Sequence, residues 1–464
     1  MFFPFLVITA IAVFMSTSGI ANPSTAFRIR TQTPGATRAP SPNKLTSNVL
    51  TLTRKMGNPA SQPYLKTMRM GRPVGGVYQR FQSAVDPLEA VAGSSIFLAQ
   101  VSFGDQMFDA VVDTGSSDTW IAQTGFDCIN PATNALQSES YCAFGPTYNI
   151  STTFAQLPNV NFNTSYVDGE LLNGILGTET VILAGIVVPN QVVGIVDYAA
   201  WYGDGSSSGL IGLAYPVLTH AFPGSDPQAD VEGTQGVYSP VMTSMSQEGL
   251  INPMFSLAIS RGVSDGGLLA IGGLPSVRHS SYFASIAIEV LTMHPINGSN
   301  TTGAAEYQFY TIRIGGYAYS NDTSTQFVSG QVPNGPSNPK KRPMKGADTQ
   351  VIVDSGTTLI YVPEAIADAV NASFDPPAQY ISDQGGFVVQ CNATAPVFGV
   401  NISGKIFYIN PSDMVLDTGD GKCITGVQGN GGGLNILGDV FLKNVLAVFD
   451  IGASEMRFAA REYY

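Results

Sequence analysis

Short hydrophobic runs separated by turn residues fill the chain from about residue 89 to its end. The runs are rich in β-branched and aromatic residues and are bounded by Gly, Asn and Asp, which is typical of β-strands. Helical periodicity is rare, and the best helix candidate is residues 363–370, where a glutamate follows an initial proline. The clearest strand predictions are residues 95–103, 108–112, 185–196, 255–259 and 268–271.

A weak internal repeat divides this β-rich region into two halves. Val111-Val-Asp-Thr-Gly-Ser-Ser117 recurs as Ile352-Val-Asp-Ser-Gly-Thr-Thr358, and each copy precedes an apolar run that contains glycine, at residues 209–213 and 436–439. The region also exceeds the usual size of one domain. The sequence therefore predicts two similar lobes, residues 86–275 and 276–464, whose Asp-containing turns face each other across a cleft.

The first 85 residues have a different character. Residues 1–21 contain an uncharged apolar run followed by small residues, which predicts a secretory signal peptide; the alternative, a signal anchor, would need a longer span. Residues 22–85 are rich in Pro, Thr, Ser and basic residues and show little periodicity, which indicates a basic propeptide without a core of its own. No apolar tail ends the chain, so we expect no membrane or lipid anchor.

Charge separates the same two regions. The chain has 34 acidic and 22 basic residues, a net charge of −12, and three histidines. Ten of the basic residues and none of the acidic ones lie in residues 1–85, so residues 86–464 carry a net charge of −22. A strongly acidic protein repels phosphate backbones, which argues against a nucleic-acid partner.

Four cysteines form an even set in a chain that is predicted to be secreted, which indicates disulfides. They are Cys128, Cys142, Cys391 and Cys423, and three pairings are possible. Local pairing, 128 with 142 and 391 with 423, closes short loops and keeps each bridge within one half. No C-x-x-C spacing or histidine partner supports a metal site, and we expect neither a metal nor a cofactor.

Eight Asn-x-Ser/Thr sequons fit a glycosylated secreted protein. Sequons also arise by chance, so several are expected to be bare. They begin at Asn149, Asn163, Asn297, Asn300, Asn321, Asn371, Asn392 and Asn401.

Asp113 and Asp354 occupy equivalent positions in the repeated turn. In each turn a glycine allows a tight reversal, and hydroxyl side chains can hold the loop by hydrogen bonds. Two close carboxylates cannot both ionise cheaply, so they share a proton over an acidic range. The ionised member can take a proton from a bound water while the protonated member polarises a carbonyl oxygen, which predicts peptide hydrolysis without a covalent intermediate.

From about residue 89 to the C-terminus the chain resembles the pepsin-type (family A1) aspartic proteases, of the secreted fungal kind. Three motifs carry the resemblance, at residues 111–120, 353–363 and 436–442. It implies an all-β, bilobal pepsin-like fold with few short helices. It also implies an aspartic endopeptidase that works at acidic pH and prefers apolar residues around the cut.

The same resemblance implies that Asp113 and Asp354 are the catalytic pair. The residue after each aspartate would supply a hydroxyl that interlocks with the other lobe. The residue three positions after each aspartate would bond its outer carboxylate oxygen. The supporting residues are Thr114, Gly115, Ser116, Ser355, Gly356 and Thr357.

The resemblance further implies a β-hairpin flap that bears a tyrosine, and the chain offers two candidates. The residues around Tyr202 resemble the usual flap tip more closely. The segment that follows Tyr202 leads directly into the apolar residues 210–215, however, and leaves no room for a return strand. Tyr166 has a return strand at residues 174–183. We therefore expect Tyr166 to be the flap tyrosine and Gly169 to lie in the tip.

Two residues near the predicted flap have alternative roles. Trp120 is expected behind the flap, where it can bond the tyrosine hydroxyl; otherwise it is a core aromatic. Asp168 in the flap tip would accept a Lys or Arg side chain at the position before the cut, which widens an apolar preference. The alternative is a solvated turn aspartate.

Two further features are expected to have no catalytic role. Asp417-Thr-Gly419 repeats the triplet, but Asp420 replaces the hydroxyl residue, which predicts a surface hairpin turn. The basic stretch at residues 339–345 is predicted to be an exposed insertion, with a processing nick as the alternative.

The basic propeptide would lie across the acidic cleft at neutral pH, with Lys66 as a candidate partner of the catalytic carboxylates, and would be released as they protonate. We thus expect a monomeric zymogen whose partners are peptide substrates and its own propeptide. It would be secreted and extracellular, or alternatively vacuolar. The main alternative function is a catalytically silent binding protein on the same fold. A two-carboxylate glycosidase has no support beyond two acids.

Overall fold

The computed structural model describes residues 44–56, 95–131, 133–166, 169–231, 233–261, 266–291, 306–321, 345–382, 385–418 and 421–461. The predicted signal peptide and most of the predicted propeptide lie outside these residues. So do Lys66, Asp168, Gly419, Asp420 and the basic stretch up to residue 344.

The described residues form 27 strands and four short α-helices, which confirms the all-β architecture with few short helices. The strands of the first part are β1 (Val49–Met56), β2 (Ser95–Phe103), β3 (Gln106–Asp113), β4 (Thr119–Ile129), β5 (Leu136–Gln137), β6 (Ala155–Ser165), β7 (Leu171–Leu183), β8 (Ile186–Ala200), β9 (Gly209–Gly212), β10 (Ala221–Pro223), β11 (Met254–Ile259) and β12 (Gly267–Ile271). Those that follow are β13 (Ala284–Ala287), β14 (Thr311–Ile314), β15 (Gly316–Ser320), β16 (Thr349–Val353), β17 (Ile360–Val362), β18 (Gln379–Ile381), β19 (Gly386–Val389), β20 (Val397–Ile402), β21 (Lys405–Tyr408), β22 (Val415–Asp417), β23 (Cys423–Thr425), β24 (Val427–Gly429), β25 (Ile436–Leu437), β26 (Val445–Asp450) and β27 (Glu455–Ala460). The helices are α1 (Glu139–Cys142), α2 (Val241–Gln247), α3 (Glu364–Asn371) and α4 (Asp439–Leu442).

The elements predicted from hydrophobic patterning are confirmed. The five predicted strands correspond to β2, β3, β8, β11 and β12, and the predicted helix is α3. Pro363 immediately precedes α3, where its fixed φ suits a helix start. Ile366, Ala367 and Val370 form the buried face of this helix, as the spacing of an amphipathic helix requires.

The two halves repeat one strand arrangement around their Asp turns. Strand β3, which ends at Asp113, pairs in parallel with β9, and β9 pairs antiparallel with β4, the strand after the turn. Strand β16, which ends one residue before Asp354, pairs in parallel with β25, and β25 pairs antiparallel with β17. The internal repeat of the sequence therefore corresponds to the bilobal fold.

A 15-stranded sheet runs through both halves. Its order is β10-β6-β7-β8-β4-β9-β3-β2-β1-β12-β11-β26-β27-β13, and β5 is attached to β4. Across the halves, the Tyr310 hydroxyl donates to the carbonyl of Leu213 at 2.6 Å, and the rings of Phe255 and Phe449 stack at 4.5 Å between centroids. These contacts hold the two Asp turns on one continuous scaffold.

Strand β1 lies near the middle of this sheet although it comes from the region predicted to be propeptide. Residues 49–52 pair antiparallel with β12, and residues 53–56 pair antiparallel with β2. The side chain of Leu52 is buried, and Arg54 donates to the backbone carbonyl of Arg261 at 2.8 Å. Strand β1 thus connects β2 to β12 within the sheet. The propeptide boundary at residue 85 stays a prediction.

Two disulfides reinforce the fold, one in each half. Cys128 bonds Cys142, and Cys391 bonds Cys423, as local pairing predicts. Among the residues described, there is no helix of the length and apolar character that crossing a membrane requires.

Candidate active site

The carboxyl of Asp113 is buried and held by its own turn. The backbone N–H of Gly115 donates to Oδ1 at 2.7 Å, and the Ser116 hydroxyl donates to Oδ2. Strand β3 delivers Asp113 as its last residue, so the sheet fixes the backbone from which the carboxyl projects. The two hydrogen bonds use both carboxyl oxygens and fix the plane of the group.

Asp354 has the same environment in the second half. The backbone N–H of Gly356 donates to Oδ1 at 2.9 Å, and the Thr357 hydroxyl donates to Oδ2 at 2.5 Å. The opposite turn approaches closely: a Cβ at Gly115 would lie 2.6 Å from Asp354 Oδ1, which no real side chain tolerates. Only glycine at position 115 therefore lets the two turns meet.

Hydrogen bonds interlock the two turns across the lobe interface. The backbone N–H of Ser355 donates to Thr114 Oγ1 at 2.9 Å, and the backbone N–H of Thr114 donates to Ser355 Oγ at 3.2 Å. Each hydroxyl then donates to the opposite half, Thr114 to the carbonyl of Val353 at 3.1 Å and Ser355 to that of Val112 at 2.9 Å. These four bonds fix one aspartate relative to the other.

The two carboxyls lie close enough to interact electrostatically, and both are shielded from solvent. Burial raises the pKa of Asp113 well above its usual range, and the neighbouring charge of Asp354 raises it further. Burial also raises the pKa of Asp354, against the hydrogen bonds from Thr357 and Gly356. A proton is therefore retained between them in acid, which leaves one group able to donate a proton and the other able to accept one.

Asp439 is a third buried carboxyl near this pair and was not among the predicted site residues. Within the described ranges neither of its oxygens has a hydrogen-bond partner. Burial raises its pKa well above the usual value; the Lys443 ammonium opposes this shift, and the charges of Asp354 and Asp113 add to it. The signal in the sequence is the position of Asp439 within the otherwise apolar motif at residues 436–442.

A buried polar cluster was also missed. Asp118, five residues after Asp113, accepts from the backbone N–H of His220 at 2.9 Å and contacts His220 Nδ1 at 2.7 Å. The Tyr238 hydroxyl donates to the same carboxylate. The cluster ties the Asp113 turn to two later segments, and no local motif in the sequence marks His220 or Tyr238 as partners of Asp118.

Tyr166 lies at the end of a β-hairpin made by β6 and β7. The N–H of Gly169 donates to the Tyr166 carbonyl at 3.1 Å, and Gly169 has φ +90°, a value that favours glycine. Trp120 Nε1 donates to the Tyr166 hydroxyl at 2.8 Å, and both side chains are buried. The structure thus brings Trp120 and Tyr166 together, while Asp168 lies outside the described residues.

Tyr202, the other flap candidate, is not in a hairpin. It follows β8 in an irregular stretch, and its backbone N–H donates to the buried carboxylate of Glu170 at 2.9 Å. Asp417 is likewise separate from the turns of Asp113 and Asp354: it ends β22, pairs with Cys423 of β23 and is exposed, as a surface hairpin requires.

The fold and the interlocked turns define a pepsin-like aspartic protease. A family model described as eukaryotic aspartyl protease matches residues 97–461. A probable aspartic-type endopeptidase of Aspergillus fumigatus is 42% identical over 376 residues, 78% of each chain, and aspergillopepsin-1 of Aspergillus oryzae is 26% identical over 79% of this chain and 78% of its own. The chain therefore belongs to the eukaryotic aspartyl protease family and is an aspartic-type endopeptidase that acts on peptides.

A solved structure supports the fold separately. The crystal structure of an aspartic proteinase from Irpex lacteus superposes with a TM-score of 0.54 at 18% identity, covering 79% of this chain and 95% of that chain. At this identity the likeness concerns the fold alone, and it confirms the bilobal pepsin-like architecture.

Proposed function

We propose that the chain cleaves peptide bonds at acidic pH by a water activated between Asp113 and Asp354. The main support is that the two carboxyls are buried, that their turns are interlocked by hydrogen bonds, and that the pKa values of both carboxyls are raised. One proton on the pair is the working state: the ionised carboxyl takes a proton from water, and the protonated carboxyl hydrogen-bonds the scissile carbonyl oxygen. Activity therefore falls when the pair loses its last proton at higher pH.

Hydrolysis of denatured haemoglobin or casein across an acidic to neutral pH series tests this proposal. We expect a maximum in the acidic range and complete block by a statine-type transition-state mimic. A maximum at neutral pH, or hydrolysis that the mimic leaves unchanged, contradicts it.

We propose that Tyr166, Gly169 and Asp168 form a flap over the cleft, with Trp120 as its support. The hairpin of β6 and β7 and the bond from Trp120 Nε1 to the Tyr166 hydroxyl support this assignment.

The preference for apolar residues around the cut rests on the resemblance, and acceptance of Lys or Arg rests on the sequence position of Asp168. Cleavage of matched peptides with Leu or Lys before the cut, by the parent and by Asp168→Ala, tests the latter. A selective loss on the Lys peptide supports it, and an unchanged Lys rate removes it.

We also propose that residues 22–85 are an inhibitory propeptide. Strand β1 supports this, because a part of this basic segment is held between β12 and β2. Arg54 lies in the field of the buried carboxyls of Asp439 and Asp413. Protonation of carboxyls as pH falls weakens the attraction of the acidic lobes for the segment.

The zymogen proposal predicts that the full-length protein is inactive at neutral pH and processes itself in acid. Mass spectrometry of the N-terminus before and after acid treatment, with Asp113→Asn as the control that cannot cleave itself, reads this directly. Activity at neutral pH with residues 22–85 attached contradicts it. We also propose that residues 1–21 are a signal peptide and that the protein is secreted as a monomer. The N-terminus of the protein in culture medium tests the first point, and its mass in solution tests the second.

A further inference from the structure

The eight sequons are the sequence feature that the protease activity leaves unexplained. Five of them lie wholly within the described residues, and their asparagines differ sharply in environment. They begin at Asn149, Asn163, Asn371, Asn392 and Asn401. An N-glycan replaces one hydrogen of the side-chain amide and needs open space beyond it, so the environment of Nδ2 discriminates between them.

Asn371 is the last residue of α3 and is completely buried. Its Nδ2 donates to the carbonyl of Ala367 at 2.9 Å and to the carbonyl of Val427 at 2.9 Å, so both amide hydrogens are used inside the protein. A glycan would remove one bond and place a sugar between α3 and β24. The folded protein has no room for it.

Asn401 is buried in the middle of a small sheet. Its strand β20 lies between β15 and β21, with Gly316 and Ile406 as its neighbours in register. The close approach of the next backbone is visible at Gly315, where a Cβ would lie 2.7 Å from Asn401 Nδ2. A sugar at this nitrogen would separate the strands.

Asn163 lies on β6, the first strand of the proposed flap hairpin, and is half-buried. Its Nδ2 donates to Asp230 Oδ2 at 2.8 Å and to the carbonyl of Pro227 at 3.2 Å. Both hydrogens again have partners within the protein. A glycan here would detach the turn at residues 227–230 from the hairpin.

Asn149 and Asn392 are the opposite case, because both are exposed, Asn149 in an irregular stretch and Asn392 in a turn. The side chain of Gln106 holds the Asn149 backbone, with Nε2 donating to its carbonyl at 2.7 Å and Oε1 accepting from its N–H at 3.0 Å. Asn392 follows Cys391 in a turn closed by the N–H of Ala393 on the carbonyl of Gln390 at 2.9 Å. In both places the backbone is fixed and the side chain is at the surface.

We propose that Asn149 and Asn392 carry N-glycans and that Asn163, Asn371 and Asn401 do not. In the transfer, Nδ2 bonds to the anomeric carbon of a lipid-diphosphate-linked oligosaccharide, and the bond from that carbon to the diphosphate oxygen breaks. The lipid diphosphate leaves with the electron pair of the broken bond, and the amide nitrogen releases one proton. The inference rests on the proposed passage through the secretory pathway, where this donor is met.

Peptide mapping of the full chain tests the inference site by site. The chain is expressed in a eukaryotic secretory host with residues 1–21 and, in parallel, with a foreign signal peptide in their place. The secreted, proteolytically active fraction is treated with peptide-N-glycosidase in H2(18)O, which converts each glycosylated asparagine to a mass-labelled aspartate. We expect the label at positions 149 and 392 and none at 163, 371 and 401.

Matched variants give a second measurement on intact protein. Asn149→Gln and Asn392→Gln should each remove one glycan, whereas Ser165→Ala, which destroys the sequon of Asn163, should leave the glycan mass unchanged. A bare Asn149 or Asn392, or a label at Asn163, Asn371 or Asn401 in active protein, overturns the inference. One outcome separates the two proposals: only the chain with the foreign signal peptide is secreted, and its labels lie at the expected positions. The glycan assignment is then confirmed, and the proposal that residues 1–21 are a signal peptide is contradicted.

Discussion

The backbone N–H of Ser355 donates to the hydroxyl of Thr114 at 2.9 Å, and the reciprocal bond from the Thr114 N–H to the Ser355 hydroxyl measures 3.2 Å. The two residues are 241 positions apart and belong to different lobes. They immediately follow the two aspartates, so any shift of one turn relative to the other changes the distance between the carboxyls.

Thr114→Val keeps the shape of this side chain but removes its hydroxyl. Because it leaves the buried N–H of Ser355 without a partner, we expect a loss of about 1–3 kcal/mol in the free energy of unfolding and a lower kcat. Urea unfolding and peptide hydrolysis check both. Thr133→Val, at an exposed position, is the matched control and should stay within about 0.5 kcal/mol of the parent. Equal stability and kcat in Thr114→Val and the parent contradict the role of the interlock.

The bond from Trp120 Nε1 to the Tyr166 hydroxyl predicts a shared effect on catalysis. Trp120→Phe and Tyr166→Phe each remove this bond, and we expect each to lower kcat/KM roughly threefold to tenfold. The double variant should lose little more than either single variant, because both break one interaction. Fully additive losses, or no loss at all, speak against a flap held by Trp120.

The Tyr238 hydroxyl is one of the donors to the buried carboxylate of Asp118. Tyr238→Phe removes a hydrogen bond to a charged group, and we expect a loss of about 1.5–3 kcal/mol in the free energy of unfolding, measured in urea. Tyr282→Phe is the control, because Tyr282 is 51% exposed and the Lys405 ammonium can still lie over its ring. The idea fails if both variants unfold at the same urea concentration as the parent.

Buried carboxyls also set how stability depends on pH. The pKa values of Asp113, Asp354 and Asp439 are all raised in the folded protein, so the folded state retains protons that the unfolded chain releases. The contribution of these three groups to stability is then fully present below about pH 4 and is lost as pH rises toward their folded pKa values, by about 1.4 kcal/mol per pH unit for each proton retained. Asp439→Asn removes one such group.

Urea unfolding of Asp439→Asn at several pH values between about 4 and 6 should therefore show a shallower loss of stability than the parent. Asp417→Asn, which removes an exposed carboxyl, should leave the slope unchanged. An unchanged slope in Asp439→Asn contradicts the raised pKa of this group.

Local features of the sequence predicted most of the fold and the two Asp turns. Strands such as β2 and β8 show a strand-like pattern of hydrophobic residues, and Asp113 and Asp354 lie in a repeated motif. The strands and the two turns could therefore be predicted without knowledge of tertiary contacts. The cluster around Asp118 was not, because His220 and Tyr238 lie 102 and 120 residues away and only folding brings them together. Strand β1 was missed for the same reason: eight residues of weak alternation become a strand through pairing with β12 and β2.

The central claim is that Asp113 and Asp354 together activate the water. The most direct test is the rate of peptide hydrolysis at about pH 4 by Asp113→Asn and Asp354→Asn, with Asp417→Asn as the control from the third Asp-Thr-Gly triplet. Each catalytic substitution should lower kcat at least about 100-fold, and the control should keep the parent rate. Parent-like hydrolysis by either Asp113→Asn or Asp354→Asn would contradict the account.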